Sequence, residues 1–307
     1  MKKAKKGPFW ARVCEHKQTG KTFYKLSLEL SGEGAKTFSQ TRPGQFVEID
    51  LSTIALPPIE AIPEEFVQRS RRGILLRRPF SFCDVTAKKN KTVAEILYGV
   101  VGPASLRMTT LKVGDRVNVI GPLGNGFSIP KGKKAALLVS GGMGCPPLLH
   151  LLNFIARDYP AIKVTVFAGA KSKEDLPCSE LAKGNLGREK KGKKPAEQLV
   201  TTEDGSAGTK GLVTELVEKW LDKSGYNAKD IIIYGCGPEA MLSQVARISN
   251  ERTIDCQVSM ERMMACGIGV CQTCAIECRL PGSSKTIYKL CCKDGPVFDV
   301  KEIVFSL

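Results

Sequence analysis

No apolar run in this sequence reaches the roughly 20 residues that a membrane-spanning helix needs. The opening MKKAKKGPFWARV carries charge but no apolar stretch behind it, so it does not read as a secretion signal. A cytoplasmic protein is expected. There is no internal repeat. Aromatic residues make up 7% and do not interleave with the basic runs, and no nucleic-acid-binding motif occurs. The net charge of +15 is therefore read as mostly solvated surface, suited at most to an acidic protein partner. Much of it comes from the lysines of MKKAKKG and GREKKGKK, a terminus and a loop. Histidine is scarce: His16 and His150 are both read as structural, the second in a leucine-rich helical run. The dinucleotide fingerprint G-x-G-x-x-G is also missing.

Sulfur is abundant instead. Of twelve cysteines, Cys14, Cys83, Cys145, Cys178, Cys236 and Cys256 are scattered and read as free thiols. The other six lie between Cys266 and Cys292. A chain of 307 residues can bury a core without disulfides, so the clustering predicts a metal site. CGIGVCQTC places Cys266, Cys271 and Cys274 at C-x4-C-x2-C, the spacing used around [2Fe–2S] clusters. Gly267 and Gly269 let the backbone come close, so that N–H groups can point at sulfur. A fourth ligand is expected from CCKDG, as Cys291 or Cys292. Zinc knuckles usually carry two C-x2-C pairs. Only one occurs here, and the cluster is the preferred reading over a zinc-stabilised nucleic-acid binder. Cys278 is expected to be a non-ligand.

The chain changes character along its length. Short β patterns such as FYKLSLEL, GQFVEIDL, VAEILYGVV and DRVNVIG predict a small antiparallel barrel over 1–133. It is interrupted at 52–73 by an insertion, first proline-rich, then helical and basic. From 134 to 252, AALLVSGG, KVTVFAGA and IIIYGCG alternate with helical runs. That predicts a doubly wound parallel sheet. Residues 253–307, with the clustered cysteines, are expected to form a small third module.

Two further features suit cofactors. Arg78-Pro79-Phe80-Ser81 ends a strand-like run; its Arg can pair with phosphate and its Ser hydroxyl can hydrogen-bond a flavin. SGGMGCPPLL, with Gly141, Gly142 and Gly144, is a glycine turn between strand and helix, where a pyrophosphate can approach backbone. Cys236-Gly237-Pro238 ends another strand on the same sheet edge. A side chain at Gly144 is expected to block a cofactor there.

RPFS, GPLGNGF, SGGMGCPPLL, TEDGSAGTKG, YGCGPEAML, ERMMACGIGVCQTC and CKDGPVF follow one another over nearly the whole chain. In this order they resemble the electron-transfer subunits of NAD-dependent dihydroorotate dehydrogenases, within the ferredoxin–NADP reductase superfamily. The resemblance implies an FAD-binding barrel, an NAD(H)-binding α/β domain and a C-terminal [2Fe–2S] loop. It puts flavin contacts on Arg78 to Ser81, on Leu97-Tyr98-Gly99 and on Ala104-Ser105. It makes Cys266, Cys271, Cys274 and Cys292 the cluster ligands. Gly99 stands where the family usually has Arg, Ala104-Ser105 where Gly-Thr is common, and Pro146 where Ala is usual. The implied function is electron transfer between dihydroorotate oxidation, in pyrimidine biosynthesis, and NAD. The implied partner is an FMN-containing catalytic dihydroorotate dehydrogenase subunit in a heterotetramer. Reductase subunits of hydrogenases, sulfide dehydrogenases and ferredoxin-dependent transhydrogenases share the three-part layout and form the alternative.

Overall fold

The computed structural model describes residues 7–177, 196–280 and 282–305. The GREKKGKK stretch, Cys178 and the first six residues lie outside them.

Six antiparallel strands form the first part: β1 (Pro8–Gln18), β2 (Phe23–Ser31), β3 (Phe46–Ile49), β4 (Arg78–Lys88), β5 (Lys91–Gly99) and β6 (Arg116–Leu123). They close into a barrel in the order β1-β2-β5-β4-β3-β6, which removes free strand edges. Alternation drives this closure. Leu26, Leu28 and Leu30 of β2 point inward with Val47, Ile49, Phe82, Ile96 and Val119. Each such side chain contributes about 1.5–3 kcal/mol when fully buried. Helices α1 (Gly32–Phe38) and α3 (Pro103–Met108) flank the barrel. The 52–73 insertion carries a 3-10 turn (Ile59–Ala61) and one short α-helix, α2 (Glu64–Ser70), and adds no strand to the barrel. Arg107 on α3 holds it by donating to the Ile54 carbonyl at 2.8 Å.

The second part is a seven-stranded sheet. Its members are β7 (Ala135–Gly141), β8 (Lys163–Ala170), β9 (Glu197–Thr202), β10 (Thr209–Lys210), β11 (Ile231–Cys236), β12 (Asp255–Ser259) and β15 (Val297–Asp299). The order is β10-β9-β8-β7-β11-β12-β15. All neighbours are parallel except β12 and β15. Strand β7 is apolar at almost every position because both faces are covered. Its Leu137 and Val139 face α5 (Val213–Lys223) and α6 (Glu239–Glu251). Its Ala136 and Leu138 face α4 (Cys145–Asp158). Strands β12 and β15 come from within 253–307, so the cysteine-bearing segment shares this sheet. Between them a hairpin of β13 (Ala275–Arg279) and β14 (Thr286–Leu290) stands apart as a two-stranded sheet.

The connection sets up the site. Across the sheet the long parallel strands lie β9-β8-β7-β11-β12, so the chain winds one way from β7 to β9 and the other way from β11 to β12, reversing between β7 and β11. A crevice opens at the C-terminal ends of the two strands that flank such a reversal. The glycine turn follows β7, and Cys236-Gly237-Pro238 ends and follows β11.

Candidate functional site: a cysteine loop between barrel and sheet

The cysteine loop separates its thiols by neighbour and by burial. Val270 N–H and Cys271 N–H both donate to Cys266 Sγ at 3.4 Å. Thr273 Oγ1 donates to Cys271 Sγ at 3.2 Å. That hydroxyl, with neighbouring N–H groups, holds the Cys271 thiol down to about 6, so it ionises readily and is a better metal ligand. Cys274 and Cys292 form a buried pair: Cys292 N–H donates to Cys274 Sγ at 3.4 Å. Burial, then the Cys274 thiol, pushes Cys292 up to about 12. Metal binding would displace that proton.

The grouping is thus Cys266 with Cys271, and Cys274 with Cys292. Among the described residues no three His, Cys, Asp or Glu side chains converge on a single-ion point. Together the two pairs offer the four thiolates that a [2Fe–2S] cluster would take. Cys291 is placed differently. Its thiol is buried and donates to the Met260 carbonyl at 3.2 Å, inside the apolar core. Cys278 also packs in that core, on β13.

A clasp that the motif reading did not anticipate fixes the segment carrying Cys292. Asn125 N–H donates to the Gly295 carbonyl at 2.6 Å. The Asn125 amide donates to the carbonyls of Asp294 at 2.8 Å and Lys293 at 3.3 Å. GPLGNGF of the barrel and CKDGPVF of the cysteine segment therefore touch, although they lie far apart in sequence.

On the barrel, register places Glu48 opposite Pro79 and Phe46 opposite Ser81. These four residues share the outer face of β3 and β4, because Val47 and Ile49 point inward. Arg78 Nη1 donates to the carbonyls of Leu76 at 2.7 Å and Arg77 at 3.1 Å. Its remaining donors are available to an anion. Phe80 meets Tyr98 edge-on, with centroids 6.2 Å apart.

The other expected flavin segments are oriented unequally. The Tyr98 side chain turns into the barrel and its hydroxyl pairs with His16 Nε2 at 3.0 Å; only its backbone can serve a ligand. Leu97 faces the α4 side. A Cβ on Gly99 would stand 3.4 Å from Phe23 and 3.8 Å from Met143, so this strand end abuts the glycine turn. Ser105 is engaged locally, its Oγ accepting from Val101 N–H at 2.9 Å and Gly102 N–H at 3.2 Å. Ala104 precedes it on the first turn of α3.

At the sheet crevice the structure brings the two expected segments into direct contact. A Cβ on Gly144 would overlap the Cys236 carbonyl. Glycine is required there by the neighbouring chain, before any cofactor is considered. Gly141 is similarly filled, with Met241 and Pro238 each 2.8 Å from where its Cβ would be. Gly142 differs: its φ is +50° and nothing lies within 4 Å of its missing side chain. It is the open position of the turn. Burial pushes the Cys236 thiol up to about 12, so it is neutral beside the crevice. Gly237 and Pro238 then lead into α6, where Glu239 makes a two-pronged ion pair with Arg262 at 3.0 and 3.1 Å. Arg262 lies just before the cysteine loop, which ties crevice and loop together. His150, by contrast, lies on the buried face of α4 and is held down to about 4 by desolvation, outside both places.

The chain carries the sequence signature of both units. Residues 261–304 match the iron–sulfur cluster binding domain of dihydroorotate dehydrogenase B, and residues 138–247 match an oxidoreductase NAD-binding domain. The electron transfer subunit of dihydroorotate dehydrogenase B (NAD(+)) from Caldanaerobacter subterraneus subsp. tengcongensis is 35% identical, over 96% of this chain and 98% of that protein.

The chain belongs to this family of electron-transfer subunits.

A Bacillus cereus member is 33% identical over 95% of this chain and 96% of its own length. The fold extends further. An NADH-dependent reduced ferredoxin–NADP oxidoreductase structure superposes with a TM-score of 0.69 at 24% identity, covering 96% of this chain and 90% of that one. The family membership makes this chain an oxidoreductase subunit with iron–sulfur and NAD-binding domains. No helix among the described residues is long and apolar enough to cross a membrane.

Proposed function

We propose that this chain is the subunit that connects a catalytic dihydroorotate dehydrogenase partner with NAD, using a [2Fe–2S] cluster and FAD. Labour is divided among residues 1–133, 134–252 and 253–307, as flavin, nicotinamide and cluster modules. The observation that carries the reading is the position of the cysteine segment: Asn125 clasps the backbone after Cys292 to the barrel, and Arg262, just before Cys266, pairs with Glu239 at the crevice. Three cofactor sites within one rigid frame are what relayed electron transfer needs.

Bound flavin supplies the exchange between hydride transfer with nicotinamide and single-electron transfer with the cluster. The residues do the holding. Cys266, Cys271, Cys274 and Cys292 bind the cluster, each thiol giving up its proton. Arg78 offers a charge-assisted hydrogen bond to flavin phosphate, Ser81 its hydroxyl, and Pro79, Phe80, Leu97, Tyr98, Gly99, Ala104 and Ser105 complete the cradle. Gly141, Gly142 and Gly144 with Cys236, Gly237 and Pro238 form the nicotinamide crevice. The neutral Cys236 thiol adds no charge to repel the cofactor's phosphates.

A partner has a place to dock. Met263 and Val270 are 81% and 73% exposed beside Cys266 and Cys271. Apolar groups exposed together mark interaction surfaces. The partner is FMN-containing and pairs with this chain as a cytoplasmic heterotetramer.

The purified chain should show flavin and iron–sulfur absorption, and NADH should bleach the flavin. Mixed with the catalytic dihydroorotate dehydrogenase subunit, it should confer NAD+-dependent dihydroorotate oxidation that neither chain shows alone. Bleaching by NADH without that gain would direct the chain to another partner dehydrogenase. A colourless protein would remove the reading altogether.

A further inference from the structure

Glu48 stands out because the relay described above does not use it. It sits on β3 with 0% exposure, and among the described residues neither carboxyl oxygen has a hydrogen-bond partner. An unpaired buried polar group costs about 1–3 kcal/mol, more if charged. Such a group in a native fold calls for an explanation.

Its surroundings supply one. On one side it shares the outer barrel face with Pro79 and Ser81. On the other it lies against Gly267, next in sequence to Cys266: a Cβ on Gly267 would overlap the Glu48 carboxyl. Gly267 has φ +65°, so glycine is favoured twice there, by backbone conformation and by this contact. The carboxyl is therefore packed between the flavin motif and the cysteine loop.

The nearby cations are occupied elsewhere. Arg77 donates to Asn118 Oδ1 at 2.6 Å and to its carbonyl at 3.0 Å. Arg78 donates to Leu76 and Arg77 carbonyls. Both arginines favour the ionised form at a distance, but burial outweighs them and raises the group to about 7. A four-thiolate cluster is itself negative, which further disfavours an anion beside it. Its sulfurs accept hydrogen bonds, and hydrogen bonds to sulfur are among the features that set cluster potentials.

We propose that Glu48 is a positioning residue for electron transfer: its carboxyl, packed against Gly267 with no partner of its own, is the hydrogen-bond donor that a bound cluster would take from the barrel, and so it stabilises the reduced cluster. This rests on the cluster assignment above. The donor raises the cluster potential, because it offsets the negative charge added on reduction.

The test is redox titration of the as-purified holoprotein, with the cluster followed by EPR and the flavin by absorbance. Glu48→Met keeps the length and removes the donor; Glu48→Gln keeps a donor. The cluster potential should fall in Glu48→Met and stay near the starting value in Glu48→Gln. Thermal stability should not fall in Glu48→Met, since an orphaned polar group has been replaced by an apolar one. An unchanged or raised potential in Glu48→Met would overturn the proposal. Should that variant lose its cluster, infrared difference spectra of the unmodified protein decide. A carboxylic C=O band should shift on cluster reduction and vanish in Glu48→Gln; absence of the band would equally overturn it. An unmodified protein with no cluster EPR signal at all would instead sink the cluster assignment.

Discussion

The glycine turn after β7 and the cysteine loop before β13 are both glycine-rich, and they use glycine to different ends. In the turn, Gly141 and Gly144 are filled from outside by Pro238, Met241 and Cys236. The crevice is therefore built by chain packing. In the loop, N–H groups point at sulfur; in one thiol pair Cys271 is exposed and Cys266 half-buried, while the other pair is buried. That loop is finished only when something joins the two pairs. A preformed site should respond to mutation mainly through folding, and a ligand-completed site mainly through cofactor retention.

The largest effect should come from the cysteines. Cys292→Ser or Cys274→Ser is expected to abolish or greatly alter the reduced cluster's EPR signal, whereas Cys291→Ser should leave it intact. The reverse result would make Cys291 the ligand. On the preformed side, Gly144→Val forces a branched side chain into the Cys236 backbone and should cost about 3 kcal/mol. Chemical denaturation measures it. Gly142→Ala has open space and meets only the cost of positive φ, about 1–2 kcal/mol. It should fold, keep flavin and cluster spectra, and slow reduction by NADH in stopped flow while dithionite still works. Equal losses of stability in the two variants would erase the contrast within the turn.

A pH effect comes next, and it belongs to neither region. Burial depresses His150 from its ordinary value to about 4. The unfolded chain then binds a proton that the folded chain does not as pH falls from about 6.5. Stability contributed by this residue is full above that pH and declines toward pH 4, by up to about 3 kcal/mol. His150→Leu should flatten the acid limb of a denaturation midpoint–pH curve.

Smaller still is Asn125→Ala. It removes the amide's two bonds to the Lys293 and Asp294 carbonyls and should cost about 1–2 kcal/mol. Faster loss of cluster absorbance under a chelator, with NADH reduction of flavin intact, is the expected signature. Last, Arg262→Gln breaks a partly exposed ion pair with Glu239 and should cost about 1 kcal/mol or less in a thermal melt.

Legibility in the sequence followed the range of each interaction. Barrel and sheet strands were readable because alternation and continuous apolar runs are local patterns. C-x4-C-x2-C was readable because its spacing is the chemistry. The turn's glycines were readable as a close approach, but not which object approached: the Cys236 carbonyl is contributed by a distant segment. Tyr98 was named for a ligand, and only the strand's inward phase reveals that its ring belongs to the barrel. Asn125 was visible only as part of the GPLGNGF motif, and Glu48 only as a polar residue among apolar ones; neither role could be read locally. Each is one polar residue in an ordinary strand or turn, and its meaning comes from residues more than a hundred positions away. A polar residue at a buried phase of GQFVEIDL was the available hint for Glu48.

Ser259 of β12 pairs with Val297 of β15, and Met260 N–H donates to the Pro296 carbonyl at 2.9 Å. The chain leaves the sheet for the cysteine loop and rejoins it at the point of departure. A segment whose two ends are already bonded to each other can change length between them without displacing the strands it leaves. The iron–sulfur unit is thus inserted at a single seam of the sheet, and Asn125, Glu239 and the shared core hold it in place from there.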